Sequence, residues 1–531
     1  MNPIMPTAFH AMIATPHYLA SMVGGRILQQ GGNAFDAAVA ISAALAVVYP
    51  HMTGLGGDAF MLMYSAKEKC ITGLNGTGRS GRRATPEFYL SQGLTAIPQR
   101  GVQSAVTVPG MVDAWWEVSA KYGRLPWDAL LAPAAAYAEE GFPISRNLYY
   151  WICRNEQLIR GQAGLARTYM RSGKLLLPGD RLVQPELAAA LRAVQEQGRD
   201  AFYKGKVMQA IVDAIRKDGG CLEEEDFASH RSDWVKPLST AYRGHEIYQM
   251  PPNSQGFSAL MMMNMLESLD LAAVPRESAQ FYHLMTEVVK KAFRDRDRYL
   301  TDPDFADIPL DRLLSKEYAR KLFQELPLHP PQGAPFLSRA IGQDTAYAAV
   351  VDDEGNAVSF IQSLYFDFGS GYVAGESGVL MQNRGSFFSL DAGEANVLAP
   401  RKRCFHTLMP AMICRGGKPT LLFGTQGGEG QPQTQLSVMT GVLDYGCTIQ
   451  EALALPRWVY GRTWGEDGDA LRIENRGFEA IGAQLQQWGH KVELMQAWDG
   501  MMGQAQGISI GPNGLLSGAA DPRGDGIAFG W

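Results

Sequence analysis

Thr345 opens a run whose composition suits nucleophilic chemistry. Residues 345–351 read Thr-Ala-Tyr-Ala-Ala-Val-Val, and residues 356–364 read Asn-Ala-Val-Ser-Phe-Ile-Gln-Ser-Leu, with Asp352-Asp353-Glu354-Gly355 between them. Two stretches of small, β-branched and aromatic residues around a turn-forming cluster predict a β-hairpin, with Gly355 supplying the positive φ of a three-residue loop. If Asp352 pairs with Asn356, paired numbers sum to 708 and Thr345 faces Ser363, shifted by one residue if Gly355 sits in a bulge. Two hydroxyls then become cross-strand neighbours at the start of the first strand. The preceding residues 327–344 carry four prolines and two glycines, the signature of an exposed linker. A threonine at such a junction suits an N-terminal nucleophile: cleavage between Asp344 and Thr345 frees an α-amine that can activate the hydroxyl. That amine has an unperturbed pKa of about 7.7–8.0, well placed for a general base.

The elements that must hold such a site are legible elsewhere in the chain. Asn33 is a suitable N-cap for a helix over residues 34–48 that is apolar on nearly every face, so it belongs between other layers. Residues 54–58, Gly-Leu-Gly-Gly-Asp, read as a tight turn into a strand. From residue 90 to 310 the pattern is mostly helical, with amphipathic stretches at 185–197 and 281–300. The charge run at 294–298 reads as a solvated or internally paired helix end. After Thr345 come short strands with glycine-rich turns and one helix, over residues 433–443, behind Gly427-Gly428.

Composition narrows the function classes. The chain has 531 residues, 46% of them hydrophobic, and a net charge of −6 with both signs interspersed, so a nucleic-acid partner is not expected. The most apolar run, residues 37–49, is too short to span a bilayer, and no secretory signal is seen at the start, which points to a cytoplasmic protein without a membrane partner. Six scattered cysteines lack CxxC spacing, and the nine histidines form neither HExxH nor HxH, so no metal or organic cofactor is expected. The Gly507-Ile-Ser-Ile-Gly511 run matches the serine-hydrolase pattern GxSxG. It leads into a Pro-Asn-Gly turn instead of a helix, and no histidine follows it, so it is rejected.

Many stretches match one known family in order. They include Gly31-Gly-Asn-Ala-Phe-Asp-Ala-Ala-Val-Ala40, Gly54-Leu-Gly-Gly57, Val108-Pro-Gly110, Asp295-Arg-Asp-Arg-Tyr-Leu300, the Thr345 hairpin, Gly371-Tyr-Val-Ala-Gly-Glu-Ser-Gly378, Gly424-Thr-Gln-Gly-Gly428 and Asp521-Pro-Arg523. The chain thereby resembles the γ-glutamyltranspeptidase family of N-terminal nucleophile hydrolases. The resemblance implies an α+β fold, a four-layer αββα sandwich. It also implies self-cleavage into fragments 1–344 and 345–531, which stay together as one integrated domain and leave room for homo-oligomers of that heterodimer. It implies Thr345 as nucleophile, Ser363 as the hydroxyl beside it, and the N–H groups of Gly427 and Gly428 as oxyanion hole.

The acyl-binding positions depart from the transpeptidases. Thr77 stands where they have a substrate-binding Arg, with Arg79 two residues on. Tyr365 replaces an Asn on the second hairpin strand, and Asn383-Arg384-Gly385-Ser386-Phe387 replaces their Asn-Gln-x-x-Asp segment. His406-Thr407 replaces a Ser-Ser pair. The carboxylate that would hold a glutamyl ammonium is gone and a guanidinium has arrived, so γ-glutamyl donors should bind poorly. Arg384 offers a planar fork for a carboxylate, or else forms a structural ion pair, for example with Glu376. Asn383, Tyr365, Phe387, His406 and Thr407 complete the expected substrate-binding set, with Arg79 open as an alternative cation. This pattern resembles the acylase and amidohydrolase branch of the family. The expected substrate is a small amide next to a carboxylate, oxamate first. A glutaryl or cephalosporin-type acylase, or a γ-glutamyl hydrolase or transpeptidase, is the alternative, and an inactive scaffold is a further rival.

Overall fold

The computed structural model describes residues 5–327, 344–461 and 468–531. The expected linker therefore lies, between its two ends, outside the described residues.

The hairpin forms from strands Asp344–Val351 and Ala357–Tyr365. Asp352 N–H donates to the Asn356 carbonyl at 3.1 Å, and Gly355 closes the loop at φ +84°, a conformation costly to any residue with a Cβ. Pairing runs from Ala346↔Gln362 to Val351↔Ala357, the register deduced from the turn. The ladder then shifts: Asp344 faces Tyr365, so Ser363 and Leu364 together stand opposite Thr345. The irregularity sits beside Thr345 and not at Gly355.

This hairpin is the middle of a seven-stranded antiparallel sheet. Its order is Ile527–Gly530, Met12–Thr15, Asp344–Val351, Ala357–Tyr365, Asp58–Ser65, Cys70–Gly76 and Asp233–Val235. A second seven-stranded antiparallel sheet runs Thr7–Ala8, Leu516–Ala520, Ala505–Ile510, Lys418–Thr425, Ala411–Arg415, His245–Gln249 and Leu238–Tyr242. Alternation along the strands gives each sheet two apolar faces. The inner faces meet through Met12, Phe60, Leu62, Tyr347, Met412, Leu422 and Ile508. The outer face of the first sheet packs on helices that include Ala34–Val48 and Met111–Tyr122, and that of the second on Gly256–Leu266, Ala279–Tyr299 and Gln431–Leu443. The result is helix, sheet, sheet, helix: the four-layer αββα sandwich. Both sheets draw strands from both sides of residue 345, so neither side holds a complete core.

Helix Ala34–Val48 is buried along its whole length and starts at an Asn33–Asp36 capping box, as its composition required. One expectation needs correction, and another holds only in part. The region 90–310 also supplies strands Asp233–Val235, Leu238–Tyr242 and His245–Gln249, whose three to five residues are too short for their alternation to stand out among helices. Within 294–298, Arg294, Asp297 and Arg298 are exposed, but Arg296 is wholly buried and pairs with Asp297 at 2.7 Å and Glu429 at 3.1 Å. Among the described residues no helix is long and apolar enough to cross a membrane.

Candidate active site

Thr345 lies at the head of the central strand, 1% exposed. Its hydroxyl donates toward Ser363 Oγ at 3.5 Å, while Ser363 Oγ also accepts the Tyr365 N–H at 2.8 Å. Gln431 Nε2 reaches Thr345 Oγ1 at 3.5 Å. The two 3.5 Å contacts of the Thr345 hydroxyl are at the long end for hydrogen bonds. Gln431 is the first residue of helix Gln431–Leu443, which follows a one-turn Gly428–Gly430 segment, so the Gly427-Gly428 turn lies beside Thr345. Gly427 has φ +127° and Gly428 φ +51°, backbone that only glycine adopts without strain at the first of them.

A buried scaffold holds this turn. Gln255 Nε2 donates to the carbonyls of Gly428 (3.0 Å) and Thr407 (2.8 Å), and Arg296 Nη1 donates to Gln255 Oε1 at 3.1 Å. The same Arg296 pairs with Glu429. One arginine from the long helix thereby ties the diglycine turn to the His406-Thr407 loop.

Arg384 occupies the next layer out, 1% exposed. Its guanidinium lies 3.8 Å from the ring centre of Tyr365, the residue whose backbone pairs with Asp344. Arg384 Nη2 donates to Thr407 Oγ1 at 3.2 Å. Its Nε and Nη1 are buried and have no hydrogen-bond partner among the described residues. Burial lowers its pKa, but a guanidinium stays charged. The ion pair with Glu376 does not form: Glu376 is on the surface, 3.6 Å from Arg167.

Asp58 stands behind this cation and was not singled out in the sequence. It heads the strand that pairs with Ala357–Tyr365, directly opposite Ser363. Asp58 Oδ1 accepts the N–H groups of Gly78 (3.2 Å) and Gly110 (3.0 Å), and Oδ2 faces His406 Nε2 at 3.4 Å. Leu408 N–H donates to His406 Nδ1 at 3.3 Å, which puts the ring proton on Nε2, toward Asp58. Burial pushes the Asp58 carboxyl up to about 7, against the pull of its backbone donors and of Arg384. Burial, reinforced by Arg384, holds His406 far below its ordinary range, so the ring is neutral.

The remaining residues divide by what they touch. Asn383 clamps backbone: Oδ1 accepts Phe366 N–H at 3.0 Å and Nδ2 donates to the Gln99 carbonyl at 2.8 Å. Phe387 is half-buried, its ring tilted against Phe405 (4.7 Å) and edge-on to Tyr365 (6.1 Å), closing the aromatic side of the site. Thr77 is buried with its hydroxyl on Asn75 Oδ1 at 2.6 Å. Arg79 faces outward to Asp304 (3.0 Å) and Asp233 (3.6 Å), lining a separate cavity, and does not join Arg384. Gln431, Gln255 and Asp58 could not be found by spacing, since each acts on residues far along the chain.

Such a sandwich, with a buried hydroxyl at the head of the central strand and a glycine turn beside it, is that of an N-terminal nucleophile hydrolase. A family model described as gamma-glutamyltranspeptidase matches residues 20–531, and the chain belongs to that family. It is 53% identical over 519 residues to the glutathione hydrolase-like YwrD proenzyme of Bacillus subtilis (strain 168), covering 98% of each. It is 38% identical over 527 residues to the oxamate amidohydrolase proenzyme of Klebsiella pneumoniae, again covering 98% of each. Among solved structures, cephalosporin acylase from Bacillus halodurans superposes with a TM-score of 0.92 at 36% identity, over 100% of this chain and 97% of that one.

Proposed function

We propose that this enzyme is an amidohydrolase that cleaves itself between Asp344 and Thr345 and then hydrolyses a small amide next to a carboxylate, with oxamate the first candidate. One observation carries the substrate reading: Arg384 is a buried guanidinium on the ring of Tyr365, which pairs with Asp344, and its Nε and Nη1 are unpartnered among the described residues. A buried cation with open donors is costly unless an anion completes it, and two donors on one fork match a carboxylate. Tyr365 and Phe387 narrow the space, and the anion that a substrate ammonium would need is absent from position 387.

In the reaction, Arg384 holds the oxamate carboxylate and presents the neighbouring amide carbon to Thr345 Oγ1. The freed α-amine of Thr345 accepts the hydroxyl proton as the C–O bond forms, and the N–H groups of Gly427 and Gly428 receive the oxyanion. The amine passes its proton to the departing nitrogen, which leaves as ammonia, and an oxalyl ester remains on Thr345. Water, deprotonated by the same amine, attacks the ester, and its collapse returns the proton to Thr345 and frees oxalate. Ser363 and Gln431 steady the threonine hydroxyl.

The names of the relatives supply the rivals: a long acyl amide, as for the cephalosporin acylase, or a γ-glutamyl amide, as for the glutathione hydrolases. A screen of oxamate, glutaryl amides and glutathione tests them together. Ammonia release from oxamate should exceed turnover of either rival. Preference for a glutaryl amide, or γ-glutamyl transfer at a comparable rate, would replace this reading.

A further inference from the structure

Away from the site just described, two histidines and a glutamate meet in the interior. His283 and Glu287 lie one turn apart on helix Ala279–Tyr299, so both project from the same face. His490 immediately precedes strand Lys491–Met495 and arrives from the far end of the chain. All three are buried, and their potential ligand atoms lie within 4.8 Å of one another. We propose that His283, Glu287 and His490 bind a divalent transition-metal ion of the zinc class. The ion would join the long helix to the segment that carries His490.

The hydrogen bonds fix which atoms are available. His283 Nε2 lies 2.6 Å from the Pro327 carbonyl, which can only accept, so the proton is on Nε2 and Nδ1 carries a lone pair. An imidazole anchored through its other nitrogen by a backbone carbonyl is the usual outer support of a metal-ligating histidine. His283 Nδ1 accepts from His490 Nε2–H at 2.8 Å, so His490 must shift its proton to Nδ1 for Nε2 to ligate. Tetrahedral zinc, with Zn–N of about 2.0–2.1 Å, sets its nitrogens about 3.3 Å apart, so the rings need open by only about half an ångström. A cavity of about 520 Å³, lined by Arg472 and Glu493 among others, borders His490. Two imidazoles and one carboxylate suit zinc, cobalt or nickel better than magnesium or calcium. The competing cation is Lys290, whose Nζ lies 2.7 Å from Glu287 Oε1 and must yield for the ion to bind.

The ligands also straddle residue 345. If the chain is cut there as proposed above, the ion bridges the two fragments. The test is independent of that cut. Equilibrium dialysis of wild type against Zn²⁺, followed by elemental analysis, should give one ion per chain. Co²⁺ should give the visible absorption bands of a low-symmetry nitrogen and oxygen site. His283→Gln and His490→Gln should each weaken Zn²⁺ binding at least tenfold, and Lys290→Met should tighten it. Thr345→Ala, expected to stay uncut, should bind as wild type does, which separates this site from the self-cleavage. Absence of stoichiometric Zn²⁺ and Co²⁺ binding by wild type would overturn the proposal, even if the histidine variants failed to fold. So would a His283→Gln/His490→Gln protein that bound as tightly as wild type.

Discussion

Replacing Arg384 by methionine isolates the carboxylate contact. Methionine keeps most of the side chain's volume and its packing on Tyr365, which lies 3.8 Å from the guanidinium, but it removes every donor. Arg384 Nη2 is already occupied by Thr407, so the loss falls on Nε and Nη1. A charge-assisted hydrogen bond contributes about 1.5–3 kcal/mol, and leaving a desolvated carboxylate unpaired costs about 2–5 kcal/mol. The second figure already contains the first, and a loss of about 3–4 kcal/mol within it corresponds to a fall of about 150–1,000-fold in kcat/KM for oxamate. The fall should lie in KM, because the carboxylate is held alike in ground and transition states. Ammonia release measured with oxamate and with a neutral amide of similar size separates the effect from general damage, since only oxamate turnover should suffer. Fragments beginning at Thr345 should still appear, because the precursor bond does not use the substrate carboxylate. The melting temperature should hold or rise, since an apolar group replaces a buried cation. An R384M enzyme within threefold of wild type on oxamate, or one with KM unchanged, would refute the reasoning.

Three further outcomes follow from the same geometry. Thr345→Ala should remain one full-length band on a denaturing gel, whereas Thr345→Ser should yield two fragments; an active wild-type chain found uncut by mass spectrometry would contradict the mechanism. Gly427→Ala should lower kcat about 10²–10³-fold with little change in KM, because φ +127° excludes a Cβ without moving the N–H groups of the turn; its nearest neighbour is Gly503 Cα at 4.0 Å, so strain and not collision is the cause. For Asp58, the folded pKa of about 7 lies above its ordinary carboxylate value. Its contribution to stability is therefore fully present below about pH 4 and is lost as pH rises through 7. Thermal unfolding between pH 5 and 8 should show wild type losing stability relative to Asp58→Asn, and a parallel pair of curves would place the carboxyl at its ordinary value.

How much of this was legible depends on how far apart the cooperating residues lie. The hairpin could be read because its turn, register and hydroxyl pair all fall within residues 344–365. Even there the bulge at Ser363-Leu364 was hidden, since it is imposed by neighbours on other elements: Leu364 N–H is held by the Met52 carbonyl and its own carbonyl by Asn383 N–H. Arg384 could be recognised as a cation in an altered motif, but composition does not reveal that two of its buried nitrogens find no partner among the described residues. Asp58 looked like the end of a glycine turn because its partners, Gly78, Gly110 and His406, come from three other segments. Arg296 looked like one of several surface charges because alternating Arg and Asp on a helix resembles a solvated face; burial picks out one of them to hold Gln255 and Glu429. The proposed nucleophile is thus specified locally, while the groups that hold the glycine turn, the cation and the neutral His406 are specified by the sandwich. That division has a chemical consequence. Substitutions within the hairpin should abolish self-cleavage, whereas substitutions at Arg384 or Asp58 should change which acyl group is accepted while leaving the cut intact.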